Sequence, residues 1–160
     1  MADYLKDLRK VVGHRPLLSV GAGIILEDER GWTLLQRRSD NGCWDHSGGS
    51  IELDERVEDA ARRELEEETG LIAGELSLLG VFSGPENHFS YPNGDEVSYV
   101  GIIYVCRDWS GEPRCQAGEV EELRFFPPEA LPEPINPPSR PAISAWLESR
   151  GFAPLSPKET

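Results

Sequence analysis

The most constraining feature of the sequence is a run of helix-forming residues between Asp54 and Gly70. Aspartate is common at the first position of a helix, and glycine is common just after its last turn. At about 100° per residue, the apolar side chains of this run fall on one arc. They are Val57, Ala60, Ala61 and Leu65. The pattern predicts a helix over about 54–69, with Asp54 as N-cap and Gly70 just past the last turn. Such a helix packs its apolar arc against a protein core.

Three glutamates accompany this apolar arc. Glu64 and Glu68 lie on it one turn apart, and Glu67 neighbours Glu64 at i+3. Like charges at this spacing destabilise a helix, and their burial costs free energy unless a cation compensates them. Because oxygen ligands favour Mg²⁺, Mn²⁺ or Ca²⁺ over Zn²⁺, the pattern predicts a site for a hard divalent cation.

A second interpretation stays open from the residues alone, because glutamate-rich helices are common on protein surfaces. Glu58 with Arg62, and Asp59 with Arg63, have the i,i+4 spacing of ordinary surface ion pairs. In that interpretation the acidic residues only keep the outer face of the helix solvated.

The flanking sequence predicts a fold of the mixed helix-and-strand class, α/β (α+β), with one helix near each end of the chain. A helix over about 3–12 ends at Gly13, and Ser139 caps a last helix over about 140–150, closed by Gly151. The strand-like segments between them are Leu17–Leu26, Trp32–Gln36, Leu76–Phe82, Val97–Cys106 and Glu122–Phe126.

The sequence also predicts the structure of three segments that connect these helices and strands. The first two strands are expected to form a hairpin around the turn at Asp28 to Gly31. The glycine-rich segment 39–50 is expected to be a loop without strand structure. The segment 127–141 holds seven prolines and is expected to run extended over the surface.

Composition narrows the class of partner and the compartment. The net charge is −13, from 29 acidic and 16 basic residues, which opposes binding to nucleic acid or to anionic membranes. The chain has no apolar stretch typical of a signal peptide or a membrane span. Its cysteines, Cys43, Cys106 and Cys115, fit neither a metal motif nor a disulfide framework. We therefore expect a cytoplasmic protein with reduced thiols and without nucleic-acid or membrane partners.

The segment 49–71 resembles the Nudix box, G-x5-E-x7-R-E-U-x-E-E-x-G-U, in which U is aliphatic. Gly49 is followed after five residues by Glu55, and after seven more by the run RELEEETGL from Arg63 to Leu71. Every fixed position of the box is present, and so long a pattern makes a chance match improbable. The resemblance extends over most of the chain from Leu17 to Gly151.

This resemblance implies the Nudix fold, an α/β/α sandwich with a mixed β-sheet, as a single domain over residues 1–160. It implies a hydrolase that uses Mg²⁺ or Mn²⁺ to split a pyrophosphate bond in a small nucleotide substrate, as a monomer or homodimer. By resemblance, Glu64, Glu67 and Glu68 are the catalytic metal ligands, and the Gly49 carbonyl is a further ligand.

The resemblance also gives Glu55 and Arg63 the role of an ion pair that fastens the loop to the helix. Two residues depart from what many relatives have: Ser47 stands where proline is common, and Asp54 where glycine is common. Neither is a fixed position of the box, so the departures bear on loop rigidity and substrate preference.

Residues outside the box complete the predicted site. Glu119 follows Gly118 in a loop and is the favoured general base, ahead of Glu122, the alternative being a solvated acidic turn. Arg37 and Arg38 end a strand just before the glycine-rich segment, where they can meet substrate phosphates. Aromatic candidates for stacking on a base are Phe82, His88, Phe89, Tyr91 and Trp109.

Other classes of function fit the sequence less well. An inactive binding module of the same fold would lack a box carboxylate, and all are present. An isoprenoid diphosphate isomerase would need a cysteine in a suitable motif, and a calcium module would need a D-x-D-x-D-G loop; neither occurs. The substrate stays open among nucleoside triphosphates, oxidised nucleotides, ADP-ribose and dinucleoside polyphosphates.

Overall fold

A computed structural model describes residues 3–157, so residues 1, 2 and 158–160 of the predicted domain lie outside the described part. The helices are α1 (Asp3–Val12), α2 (Val57–Thr69) and α3 (Arg140–Ser149). The strands are β1 (Leu17–Leu26), β2 (Thr33–Arg38), β3 (Trp44–Asp45), β4 (Ser47–Ser50), β5 (Ile72–Ala73), β6 (Ser77–Phe82), β7 (His88–Ser90), β8 (Glu96–Cys106), β9 (Trp109–Ser110) and β10 (Val120–Phe126).

The largest sheet is mixed. Its order is β4-β1-β8-β6, with β7 also paired to β8. β1 and β8 run parallel in register from Leu17 with Val97 to Leu26 with Cys106, and the other pairs are antiparallel. β10-β2-β3 form a second antiparallel sheet, and β5 pairs with β9. The mixed sheet confirms the fold class expected from the sequence.

Alternation along β1 divides the core into two clusters. Ile24 and Leu26 pack in a cluster with Ala61 and Leu65 of α2, whereas Ile25 packs in a cluster with Trp146 of α3. Because successive strand residues point to opposite faces, each face of the sheet receives one helix. This is the α/β/α sandwich.

The expected hairpin is confirmed at its turn, where the Gly31 amide donates to the Asp28 carbonyl at 3.0 Å, and is wrong along the strands. β1 and β2 belong to different sheets and share an isolated bridge between Glu27 and Thr33. β1 pairs instead with β4 and β8, and its parallel pairing with β8 joins residues far apart in the chain, which local sequence does not indicate. The segment 39–50 is not strand-free either, since it contains β3 and β4. A Cβ on Gly48 would lie 2.8 Å from the Ala22 carbonyl oxygen, so glycine permits the close pairing of β4 with β1.

Two predicted helix caps also differ. Asp54 has φ of 63° and forms a turn before the helix, while Arg56 occupies the N-cap position of α2. Aspartate tolerates this left-handed conformation, which explains how it replaces the glycine common in relatives. Ser139 precedes α3 without capping it through its side chain, because its hydroxyl donates to Asp45 instead.

The proline-rich segment is partly internal and does not simply cover the surface. Ile135 is fully buried and forms a parallel bridge with Trp44. The Trp44 amide donates to the Pro134 carbonyl at 2.8 Å, and the Asn136 amide donates to the Trp44 carbonyl at 2.7 Å. The segment therefore extends the sheet that contains β3.

Within residues 3–157, no helix is both long and apolar enough to cross a membrane. The three cysteine thiols are free: Cys106 is buried, Cys43 is half-buried and Cys115 is exposed.

Glu27 ties the C-terminal helix to the sheet. Its buried carboxylate accepts hydrogen bonds from Trp146 Nε1 at 2.6 Å, Arg150 Nη1 at 2.6 Å and Arg107 Nε at 2.7 Å. We expect Glu27→Gln to lower the free energy of unfolding by about 2 kcal/mol, because it removes the charged acceptor of hydrogen bonds from two partly exposed arginines. Urea denaturation tests this, with the exposed Glu29→Gln as control; equal stability of the two variants would contradict it.

Candidate active site

The residues of the box meet in one cavity. It has a volume of about 520 Å³ and lies between α2, the β4 glycines and the loop before β10. The side chains that line it include Gln36, Arg38, Glu64, Glu67, Glu68, Gln116 and Glu119.

Glu68 is the most deeply placed carboxylate of this cavity, with 6% of the residue exposed. Its Oε1 accepts the Gly48 amide at 3.0 Å, and its Oε2 accepts a short hydrogen bond from Gln36 Nε2. Burial raises the pKa of Glu68 to about 8, although both hydrogen bonds oppose the rise. A nearby positive charge would restore the ionised form.

Glu64 and Glu67 lie nearer to solvent. Burial raises the pKa of Glu64, partly offset by Arg63, which donates to Glu64 Oε1 at 2.8 Å. The Glu67 side chain is 49% exposed. A Cβ on Gly49 would lie 2.4 Å from the Glu64 carboxyl carbon, so a larger residue at Gly49 would displace this carboxylate.

Arg63 holds the loop against the helix. Its Nε and Nη2 donate to the two Glu55 oxygens at 2.7 and 3.0 Å, and Nη2 also reaches the Ser50 carbonyl at 3.2 Å. This pairing lowers the pKa of Glu55. Arg62 Nη2 donates to the Gly74 carbonyl at 2.7 Å. Both arginines thus have structural partners, unlike the ordinary i,i+4 surface pairs of the alternative interpretation.

The oxygen atoms around the cavity suit a hard divalent cation. Across the described chain, no group of three or more histidine, cysteine, aspartate or glutamate side chains converges as it would around a metal ion. Glu64 is turned toward Arg63, and Glu68 toward Gln36 and Gly48. Hard cations accept water, amide and phosphate oxygens beside a few carboxylates. The buried Gln36 Oε1, which has no hydrogen-bond partner, fits such a ligand set.

The two arginines that the sequence suggests for phosphate binding, Arg37 and Arg38, lie in different places. Arg38 lines the cavity, as Gln36 does, whereas Arg37 does not and instead pairs with Glu121 at 3.2 Å. Alternation along β2 places Arg37 on the opposite face of the strand. Arg38 donates to both Asp40 oxygens at 2.9 and 2.7 Å, which lowers the pKa of Asp40.

The three glutamates that are candidates for the general base or its neighbours, Glu119, Glu121 and Glu122, also lie in different places. Glu119 lines the cavity, and its carbonyl accepts the Ser39 amide at 3.0 Å, which fixes the loop against the end of β2. Glu121 and Glu122 instead face Arg37, at 3.2 and 3.8 Å.

A second cavity of about 570 Å³ adjoins the first, and both are lined by Arg38, Asp40, Gly48, Gly49 and Ser50. Its apolar wall includes Phe82, Phe89 and Tyr91, three of the aromatic candidates. His88 and Trp109 are not among its lining residues; Trp109 stacks on Phe125 with ring centroids 5.8 Å apart.

Sequence reasoning missed two residues that line the second cavity, Tyr99 and Asp45. A Cβ on Gly21 would lie 2.2 Å from the Tyr99 hydroxyl, so the ring crosses β1 where glycine leaves room. The pairing of Gly21 with Gly101 signals such room, but only once the register is known. Asp45 is buried and accepts Asn136 Nδ2 at 2.7 Å.

Comparison with known proteins agrees with this architecture. The family model of the NUDIX domain matches residues 17–147. An ADP-ribose pyrophosphatase of Methanocaldococcus jannaschii is 40% identical over 132 residues, covering 80% of this chain and 72% of the relative. A MutT-like protein of Streptomyces ambofaciens is 30% identical over 118 residues, covering 74% and 70%. The crystal structure of a MutT NUDIX hydrolase from Burkholderia pseudomallei superposes with a TM-score of 0.69 at 33% identity, covering 79% and 96%.

The sandwich fold, the carboxylate-lined cavity at a complete box and these matches together assign the chain to the hydrolases of phosphoric anhydride bonds. The chain belongs to the Nudix hydrolase family. Nudix hydrolases generally use divalent metals and act on nucleotide substrates such as ADP-ribose.

Proposed function

We propose that the chain is a Mg²⁺- or Mn²⁺-dependent pyrophosphohydrolase of a nucleoside diphosphate linked to another group, with ADP-ribose as the first candidate substrate. The observation that carries the proposal is the pair of adjoining cavities with five shared lining residues. One is rich in carboxylates and suits cations with a diphosphate, and the other has an aromatic wall that suits a base. ADP-ribose is preferred because the relative at 40% identity is named an ADP-ribose pyrophosphatase.

The proposed roles follow from placement. Glu64, Glu67, Glu68 and the Gly49 carbonyl would hold the cation, which supplies charge neutralisation on the phosphoryl oxygens and a water of lowered pKa. Arg38 would bind a phosphate oxygen from the strand side, whereas Arg37 faces away from the cavity. Water attacks one phosphorus, the bond to the bridging oxygen breaks, and the proton of the water passes to Glu119.

The role of Glu119 gives a first prediction for activity. We expect Glu119→Gln to lower kcat by about 100-fold with little change in cation affinity, because a general base typically contributes at least this factor. Steady-state kinetics and calorimetry on the same variant measure both quantities.

Glu121→Gln is the matched control, since Glu121 faces Arg37 outside the cavity, and it should keep nearly full activity. A large loss in Glu122→Gln with a silent Glu119→Gln would move the base by three positions along the sequence. Full activity in all three variants would leave the base to the box itself, with Glu67 as the first candidate.

A substrate panel with product identification tests the proposal as a whole. The panel contains ADP-ribose, normal and oxidised nucleoside triphosphates, a dinucleoside polyphosphate and RNA with a 5′-triphosphate, each with Mg²⁺. We expect AMP and ribose 5-phosphate from ADP-ribose as the fastest reaction. Preferred release of pyrophosphate from a triphosphate would reject ADP-ribose and keep the reaction class. No hydrolysis of any member would reject both.

A further inference from the structure

The chain has two glutamines, Gln36 and Gln116, and both line the carboxylate cavity. The side-chain oxygen of each is buried and has no hydrogen-bond partner. Leaving a buried amide oxygen without a partner costs free energy. Two such oxygens in residues that line one cavity are therefore candidate ligands for a cation bound there.

Gln36 is held in one orientation. It is 4% exposed, and its Nε2 donates to Glu68. In this contact the amide NH₂ group faces the Glu68 carboxyl, so the Gln36 oxygen points away from Glu68. Gln36 also lines the cavity, so this buried oxygen belongs to the wall of the space where a cation would bind.

Gln116 approaches from the loop before β10, which is tied to the last turn of α2. The Gln116 amide donates to the Glu68 carbonyl at 3.2 Å, and the Arg114 amide donates to the Thr69 carbonyl at 2.8 Å. The backbone of the loop is thus fixed relative to the box carboxylates. Gln36 and Gln116 therefore reach the cavity from two different elements.

We propose that Gln36 Oε1 and Gln116 Oε1 are cation ligands and supplement the box carboxylates. The carboxylates by themselves do not converge around an ion, and neutral amide oxygens add donors without adding repulsion. The inference rests on the proposed function only in taking the ligand to be a divalent cation.

Selective labelling makes the test direct, because two glutamines give two side-chain signals. Protein grown with ¹³C,¹⁵N-glutamine is titrated with Mg²⁺ alone, and the Gln36→Met and Gln116→Met variants assign the signals. We expect both carbonyl carbons to shift on Mg²⁺ binding. Calorimetry of the same samples should show Mg²⁺ dissociation constants raised about tenfold in each variant.

Leu35→Met is the matched control, because it places methionine on the opposite face of the same strand and should bind Mg²⁺ as the wild type does. Gln116→Met separates ligation from support of Glu68, since the Gln116 side-chain oxygen makes no hydrogen bond. The proposal is overturned if either carbonyl signal stays unshifted at saturating Mg²⁺, if Gln116→Met binds normally, or if the wild type binds no Mg²⁺. All these readouts are independent of turnover, so a failure of the hydrolase assignment would show only in the substrate panel.

Discussion

Glu68→Gln is expected to reduce kcat on the order of 10³-fold while the protein stays folded. The substitution removes the most buried charge of the cation site and keeps the shape of the side chain. Gln36 can rotate its amide and accept from the new NH₂ group, so the buried contact survives. Steady-state kinetics with saturating Mg²⁺, beside circular dichroism of both proteins, measures the effect.

The matched control is Glu66→Gln, which removes a charge from the exposed face of the same helix. It should retain nearly full activity. Near-normal turnover in well-folded Glu68→Gln would reject Glu68 as a member of the cation site.

Glu68→Gln, which lowers activity, should nevertheless raise the stability of the folded protein at alkaline pH. The pKa of Glu68 is raised from 4.5 to about 8, so between these values the folded protein keeps a proton that the unfolded chain has lost. In a chelator, the stability of the wild type should therefore fall as pH rises from about 4.5 to about 8 and then level off. Glu68→Gln should lack this loss and be more stable at pH 8, by an amount on the order of a few kcal/mol. Equal pH profiles in urea denaturation would contradict the expectation.

What the sequence predicts well is local. The period of the apolar residues around Leu65 places α2 and turns Glu68 inward without any long-range information. Gly70 ends the helix in the left-handed conformation that its position predicts. The helix, its buried carboxylate and the fold family follow from one continuous segment.

The sequence predictions that the structure corrects concern contacts between residues distant in sequence. β1 pairs with β8 and not with its neighbour β2, because the parallel register brings together residues far apart in the chain. The Ser139 side chain is drawn to Asp45, a buried acceptor that outweighs its capping role. Arg37 and Arg38 are equivalent by sequence, and the face that each occupies depends on the alternation of β2 relative to the cavity. The two glutamine oxygens become noticeable only when their lack of partners is known.

Removal of divalent cations is expected to abolish turnover, and Mg²⁺ or Mn²⁺ should restore it. The cavity itself is lined by more carboxylates than arginines. Its two arginines are already engaged, Arg38 by Asp40 and Arg63 by Glu55. A diphosphate entering without a cation therefore meets uncompensated negative charge in a partly buried site, where Coulomb repulsion is weakly screened.

This reasoning predicts that chelation removes the binding of charged substrate and not only the chemistry. Calorimetry in the presence of a chelator should detect no binding of ADP-ribose. Adenosine, which is uncharged, should bind the aromatic cavity with unchanged affinity, because Glu64, Glu67 and Glu68 line the other cavity. Loss of adenosine binding as well would mean that chelation disturbs the fold. If turnover of ADP-ribose continues after exhaustive chelation, the cation is not part of the mechanism, and the glutamates of α2 need another explanation. If turnover stops while ADP-ribose still binds, Arg38 and other donors of the cavity suffice for binding, and the cation acts only on the reacting phosphorus.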